Sequence, residues 1–133
     1  GKLILYHGWS DAAIPAHFIV EYYNAVRKKL GAKKADSFVR LFLVPGMQHC
    51  GGGSGCNSFG QGGVAQGDPN GNISAALERW VEQGIAPEEI VATRFQSGKA
   101  EKTHPLCAYP KIAVYDGKGD ADSAASYSCR AAR

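Results

Sequence analysis

Two short apolar runs, Leu3-Ile4-Leu5-Tyr6 and Phe38-Val39-Arg40-Leu41-Phe42-Leu43-Val44, bracket a stretch in which Phe18, Ile19, Tyr22, Tyr23, Val26 and Leu30 recur at helical spacing. Runs of this kind suit strands buried on both faces of a parallel sheet, and parallel strands need a crossover between them. The chain therefore reads as strand, loop, helix over His17–Leu30, then strand, with Gly31 stopping the helix and Pro45-Gly46 ending the second strand. The crossover returns the chain to the same edge of the sheet. If the strands are neighbours, the loops that follow them meet. The first loop carries His7-Gly8-Trp9-Ser10-Asp11 and the second Pro45-Gly46-Met47-Gln48-His49-Cys50.

That pairing matters because a histidine works as a general base only when another group fixes its tautomer and steadies the imidazolium that forms. A buried carboxylate on a neighbouring loop does both. Asp11 and His49 are the candidates. Taken alone, a Gly-x-x-Asp after a strand is more often a turn former or helix cap than a catalytic acid.

Farther along, Ile73, Ala76, Leu77, Trp80 and Val81 make a second helical face, with Asn72 as N-cap and Gly84 as terminator. Ile90 to Phe95 reads as one more strand. Tyr22, Tyr23 and Trp80 are assigned to the core, and Asp68 and Asp120, among glycines, to turns. Many of the seventeen glycines fall between positions 46 and 71, which predicts a long irregular loop there. The last thirty or so residues, with two prolines, two cysteines and only Ile112 to Tyr115 strand-like, are expected to form an irregular surface tail. Alternating strands and helices point to an α/β fold with a mostly parallel sheet.

The 133 residues suit one domain, residues 1–133, and a net charge of +3 spread over scattered basic residues argues against a nucleic-acid partner. Arg27, Lys28 and Lys29 close the first helix, where cations offset its dipole. No apolar run approaches the roughly 18 residues of a membrane span, so no membrane partner is expected. The chain opens directly into a strand, which leads to the expectation of a longer polypeptide.

The succession HGWSDAAIP, a tyrosine-rich helix, VRLFLVPGMQHCGGG, ALERWVEQGIAPEEIVAT, HPLCAYPKIAVYDGKGD and a late Cys129 resembles the C-terminal part of the tannase and feruloyl esterase family over nearly the full chain. The resemblance implies the C-terminal part of an α/β-hydrolase fold and a secreted or periplasmic serine esterase acting on small aromatic esters of the gallate or hydroxycinnamate type. In that fold the order is Ser, Asp or Glu, then His. Asp11 matches the triad acid and His49 the base. Cys50 matches a cysteine bonded to another immediately before the catalytic serine, and Cys107 and Cys129 match a pair that clips the tail. The serine, its cysteine and the lid domain, where a calcium ion often binds in this family, then belong to an N-terminal part joined through Cys50. No cofactor is expected in this chain, and the chain alone is expected to be inactive.

No Gly-x-Ser-x-Gly occurs; the nearest string, Gly52-Gly53-Ser54-Gly55-Cys56, lacks its last glycine, and Ser10 belongs to the acid loop. Cys56 departs from the family pattern. A local Cys50–Cys56 bond competes with the expected link, and His49, Cys50 and Cys56 are zinc-ligand types at a spacing that fits no familiar zinc site. His7 is expected to shape the acid loop, His17 to be exposed, and His104 stands where the family more often has arginine. Trp9 is a candidate for the substrate pocket, weighed against ordinary packing. The rival reading is a non-catalytic secreted α/β module that retains the hydrolase scaffold.

Overall fold

The computed structural model describes residues 1–63 and 67–132. Its elements are β1 (Leu3–Gly8), α1 (His17–Leu30), α2 (Ala32–Asp36), β2 (Val39–Val44), α3 (Ile73–Gln83), β3 (Glu89–Gln96), β4 (Lys99–Cys107), β5 (Lys111–Tyr115) and β6 (Tyr127–Ala131).

Strands β1 and β2 are parallel neighbours in continuous register from Leu3↔Val39 to Gly8↔Val44. Side chains alternate across a strand, and both faces of β2 are covered. Val39 and Leu41 of β2 pack with Tyr23 of α1 and Ala35 of α2, joined by the half-buried Leu5, Ile19 and Val26. On the other face Phe42 and Val44 join Met47, Phe59, Ile73 and Ala76 of α3, Ile90, Ala92 and Leu106. Helix α3 starts at Asn72, whose side chain accepts the Ala75 N–H at 3.0 Å. It ends at Gly84, whose left-handed backbone (φ 73°) returns an N–H to the Trp80 carbonyl. These ends fall where the sequence places them, because caps are local chemistry.

Three expectations need correction. Tyr22 is not core: it is 54% exposed, as are Phe18 and Val81 to similar degrees, whereas Tyr23 is fully buried. Helix α1 packs through one stripe only, and Phe18 and Tyr22, one turn apart, share the face turned away from it. The sheet is not mostly parallel among the described residues, since β3–β4 and β5–β6 are antiparallel ladders. The tail is not irregular either. Strand β4 pairs with β3 across a two-residue turn, Ser97-Gly98, both with positive φ (51° and 78°), the backbone of a type I′ hairpin. Strand β4 reads poorly from sequence because its first half is charged and exposed, and it contains Pro105, which cannot donate to a ladder.

A Cys107–Cys129 disulfide joins the end of β4 to β6 and closes a separation of 22 residues. A loop of that size is worth about 3 kcal/mol of unfolding stability by the chain-entropy estimate. Replacing both cysteines by serine is therefore expected to lower the denaturation midpoint by an amount equivalent to about 3 kcal/mol, measured by chemical denaturation against the oxidised protein.

Candidate active site

Because β1 and β2 run parallel and in register, the chain leaves both strands at one end. The two loops are then held together by main chain. Trp9 donates its N–H to the Val44 carbonyl at 3.0 Å and Ser10 to the Met47 carbonyl at 2.9 Å. Gly8 makes this approach possible: a Cβ there would lie 2.3 Å from the Met47 carbonyl oxygen and 2.4 Å from that of Gln48. No side chain fits.

Asp11 is buried in this junction. Its Oδ1 accepts the N–H groups of Ala13 at 2.8 Å and Ile14 at 3.0 Å. Its Oδ2 accepts from Nδ1 of His49 at 2.8 Å. A carboxylate can only accept here, so Nδ1 carries the proton and Nε2 is the free ring nitrogen. The Ile14 N–H does most to hold the Asp11 carboxyl down, to about 2; burial opposes it, and the His49 and Ala13 hydrogen bonds add to the lowering. His49 itself is half exposed, with 55% of its side chain open. The acid is fixed and sheltered while the base is reachable.

A pocket of about 320 Å³ opens beside the pair, with Tyr6, Ile14, Phe18, Met47, His49 and Cys50 among its walls. Burial, with a smaller contribution from Cys50, pushes the Tyr6 hydroxyl above its ordinary range. Trp9 does not line this pocket; it is 52% exposed and borders a second cavity of about 210 Å³ with Leu43, Pro45, His104 and Tyr109. Cys50 is exposed, with a left-handed backbone (φ 59°), and Cys56 is buried; both are free thiols. Among the described residues His49, Cys50 and Cys56 form no metal-binding cluster, and no serine hydroxyl hydrogen-bonds to His49. His17 is exposed, and His104 packs edge-on against Tyr127. Sequence reasoning did not foresee the space requirement at Gly8. His7, expected to shape the acid loop, donates from Nε2 to the Ile14 carbonyl oxygen at 2.8 Å, and the same nitrogen lies 3.4 Å from Asp11 Oδ2.

The family model described as tannase and feruloyl esterase matches residues 1–130. The chain belongs to the tannase and feruloyl esterase family. It is 44% identical over 136 residues to the mono(2-hydroxyethyl) terephthalate hydrolase of Piscinibacter sakaiensis, covering 98% of this chain and 20% of that protein. Feruloyl esterase C of Talaromyces stipitatus is 38% identical over 135 residues, covering 96% and 26%. Among solved structures, feruloyl esterase B from Aspergillus oryzae superposes with a TM-score of 0.87 at 32% identity, over 98% of this chain and 27% of that one. The tannin acyl hydrolase from Aspergillus niger gives 0.66 at 25% identity, over 98% and 23%. The chain thus spans between a fifth and just over a quarter of the length of these family members, which are ester hydrolases, and the fold is of the hydrolase type they share.

Two outcomes follow for this family member. The lowered acid constant of Asp11 means that its contribution to stability is complete above the ordinary carboxylate value of 3.8 and is lost as pH falls through about 2; acid unfolding followed in wild type and Asp11→Asn is expected to differ in that window. Gly8→Ala is expected to cost on the order of 1–3 kcal/mol, the usual range for overpacking, and to lengthen the Asp11–His49 hydrogen bond, checked by thermal unfolding and a crystal structure of the variant.

Proposed function

We propose that this chain supplies the acid and the base of a serine carboxylic ester hydrolase acting on aromatic esters of the gallate or hydroxycinnamate type. The observation that carries the reading is the 2.8 Å contact of the buried Asp11 Oδ2 with His49 Nδ1, which leaves Nε2 free. In the proposed reaction a serine from the preceding part of the same protein gives its proton to His49 Nε2 as its oxygen attacks the ester carbonyl. Asp11 steadies the imidazolium, and His49 returns the proton to the departing alcohol. Water then repeats the sequence on the acyl-serine and releases the acid. Backbone N–H groups beside the serine hold the oxyanion.

The apolar side of the pocket, with Tyr6, Ile14 and Phe18, supports an aromatic substrate, as do the terephthalate, feruloyl and tannin esters for which its relatives are named. The free Cys50 beside His49 supports a disulfide to a cysteine next to the nucleophile, tying base and serine together. A disulfide between Cys107 and Cys129 favours an oxidising compartment, hence secretion or the periplasm. Trp9, on the neighbouring cavity, is kept as a contact for the outer part of a large substrate. Calcium, where the intact protein binds it, belongs to the lid and has no ligands assigned here.

The rival reading is a non-catalytic module on the same scaffold, and what separates the two is a serine nucleophile upstream of Asp11. The full-length protein decides between them. Turnover of methyl ferulate or methyl gallate is expected, falling by about 10⁴-fold in Asp11→Asn and at least as far in His49→Ala. An intact protein without turnover supports the module, and wild-type rates in both variants end the assignment of the pair.

A further inference from the structure

The acid loop between β1 and α1 has no strand or helix of its own, and Asp11 sits in its middle. Before Asp11 the loop is tied to the sheet by the main-chain bonds of Trp9 and Ser10. After Asp11 the N–H groups of Ala13 and Ile14 point back to the Asp11 carboxylate. They shape the turn without anchoring it. Among the described residues, the one hydrogen bond that ties this second half to the sheet comes from His7.

His7 lies on β1, paired with Leu43 of β2, and its side chain is only 17% exposed. Its Nε2 is 2.8 Å from the Ile14 carbonyl oxygen. A carbonyl only accepts, so Nε2 must carry the proton. The same nitrogen is 3.4 Å from Asp11 Oδ2, the oxygen that receives the His49 hydrogen bond. His7 therefore bears on the acid through Ile14, whose carbonyl it holds and whose N–H is aimed at Oδ1. Its ring also lies close to Oδ2.

We propose that His7 is a positioning residue for ester hydrolysis, its Nε2–H linking the rigid strand to Ile14 O so that the turn carrying Asp11 keeps the carboxylate in the orientation His49 requires. The side-chain torsion of an aspartate is broad, so its orientation has to be imposed by partners. His7 borders the pocket beside Asp11, with its Nε2 turned to the Ile14 carbonyl. The effect proposed for it is on the rate of proton transfer. The proposal rests on reading Asp11 and His49 as acid and base, and adds to it what fixes the acid.

The test uses the full-length protein with an aromatic ester, and compares His7→Phe, which fills the space without a donor, with His7→Gln, whose amide N–H reaches similarly far. In His7→Phe kcat is expected to fall about tenfold, the scale of a small misplacement at a catalytic pair, with KM within about twofold. His7→Gln is expected to recover most of the loss. Wild-type kcat in His7→Phe overturns the proposal, and so does a His7→Gln that falls as far as His7→Phe while both melt with the wild type. Should His7→Phe fail to fold, imidazole ¹⁵N spectra of the wild type decide: Nε2–H supports the arrangement, and a neutral Nδ1–H tautomer of His7 overturns it. Controls separate the two layers. Full activity in His49→Ala and Asp11→Asn removes the underlying assignment, whereas loss in those two beside wild-type kcat in His7→Phe removes only the role of His7.

Discussion

The site depends on how closely two main chains approach. At Gly8 the end of β1 lies against the carbonyls of Met47 and Gln48, nearer than any Cβ would allow, and the N–H groups of Trp9 and Ser10 are spent on Val44 and Met47. These contacts are only available because β1 and β2 are parallel and their register ends with Gly8 opposite Val44. A slip of one residue would turn every side chain to the other face and move the loops apart. The 2.8 Å contact between Asp11 and His49 is the consequence, at side-chain level, of that main-chain junction.

Electrostatics then divides the labour between the two residues. A buried carboxylate would ordinarily hold on to its proton, yet three donors, two from the backbone and one from His49, keep Asp11 ionised. The backbone donors belong to the loop itself, so the charge is stabilised by the same turn that places it. His49 needs the opposite surroundings. Its ring is anchored at Nδ1 and open elsewhere, as a group that must accept and return a proton at Nε2 has to be.

What could be read from the sequence was what is governed by neighbours in the chain. The strand, helix, strand unit and the Asn72 and Gly84 ends of α3 follow from period and capping, whereas position after a strand only made Asp11 and His49 candidates, and their roles as acid and base came with the family resemblance. Strand β4 did not, because Lys99 to Lys102 make a strand only by pairing with β3, and cross-strand packing is not a local property. The Ser97-Gly98 turn between them was the available signal. The glycine-rich stretch was legible as irregular but not as packed: Met47, Cys56 and Phe59 lie in the core, and Gly53, with φ +86°, sits where a Cβ would strike the Gly46 carbonyl oxygen. Tyr22 and Tyr23 show the remaining limit, since adjacent residues of one type take opposite burial according to what the helix rests on.

The same reasoning bears on where chemistry can enter. Strand β1 pairs with β2 on one side, and among the described residues its other edge is unpaired. Its residues Ile4 to Tyr6 are only partly covered and Leu3 is 40% exposed, although the run reads as one buried on both faces. The pocket lies beside this strand and the first turn of α1, where Tyr6, Ile14 and Phe18 meet His49. His49 stands on the wall of this pocket with Nδ1 committed to Asp11, which lines it too, so in the proposed enzyme the ring offers Nε2 to the serine. In the proposed enzyme the segment that carries the serine has to come within hydrogen-bonding reach of that nitrogen.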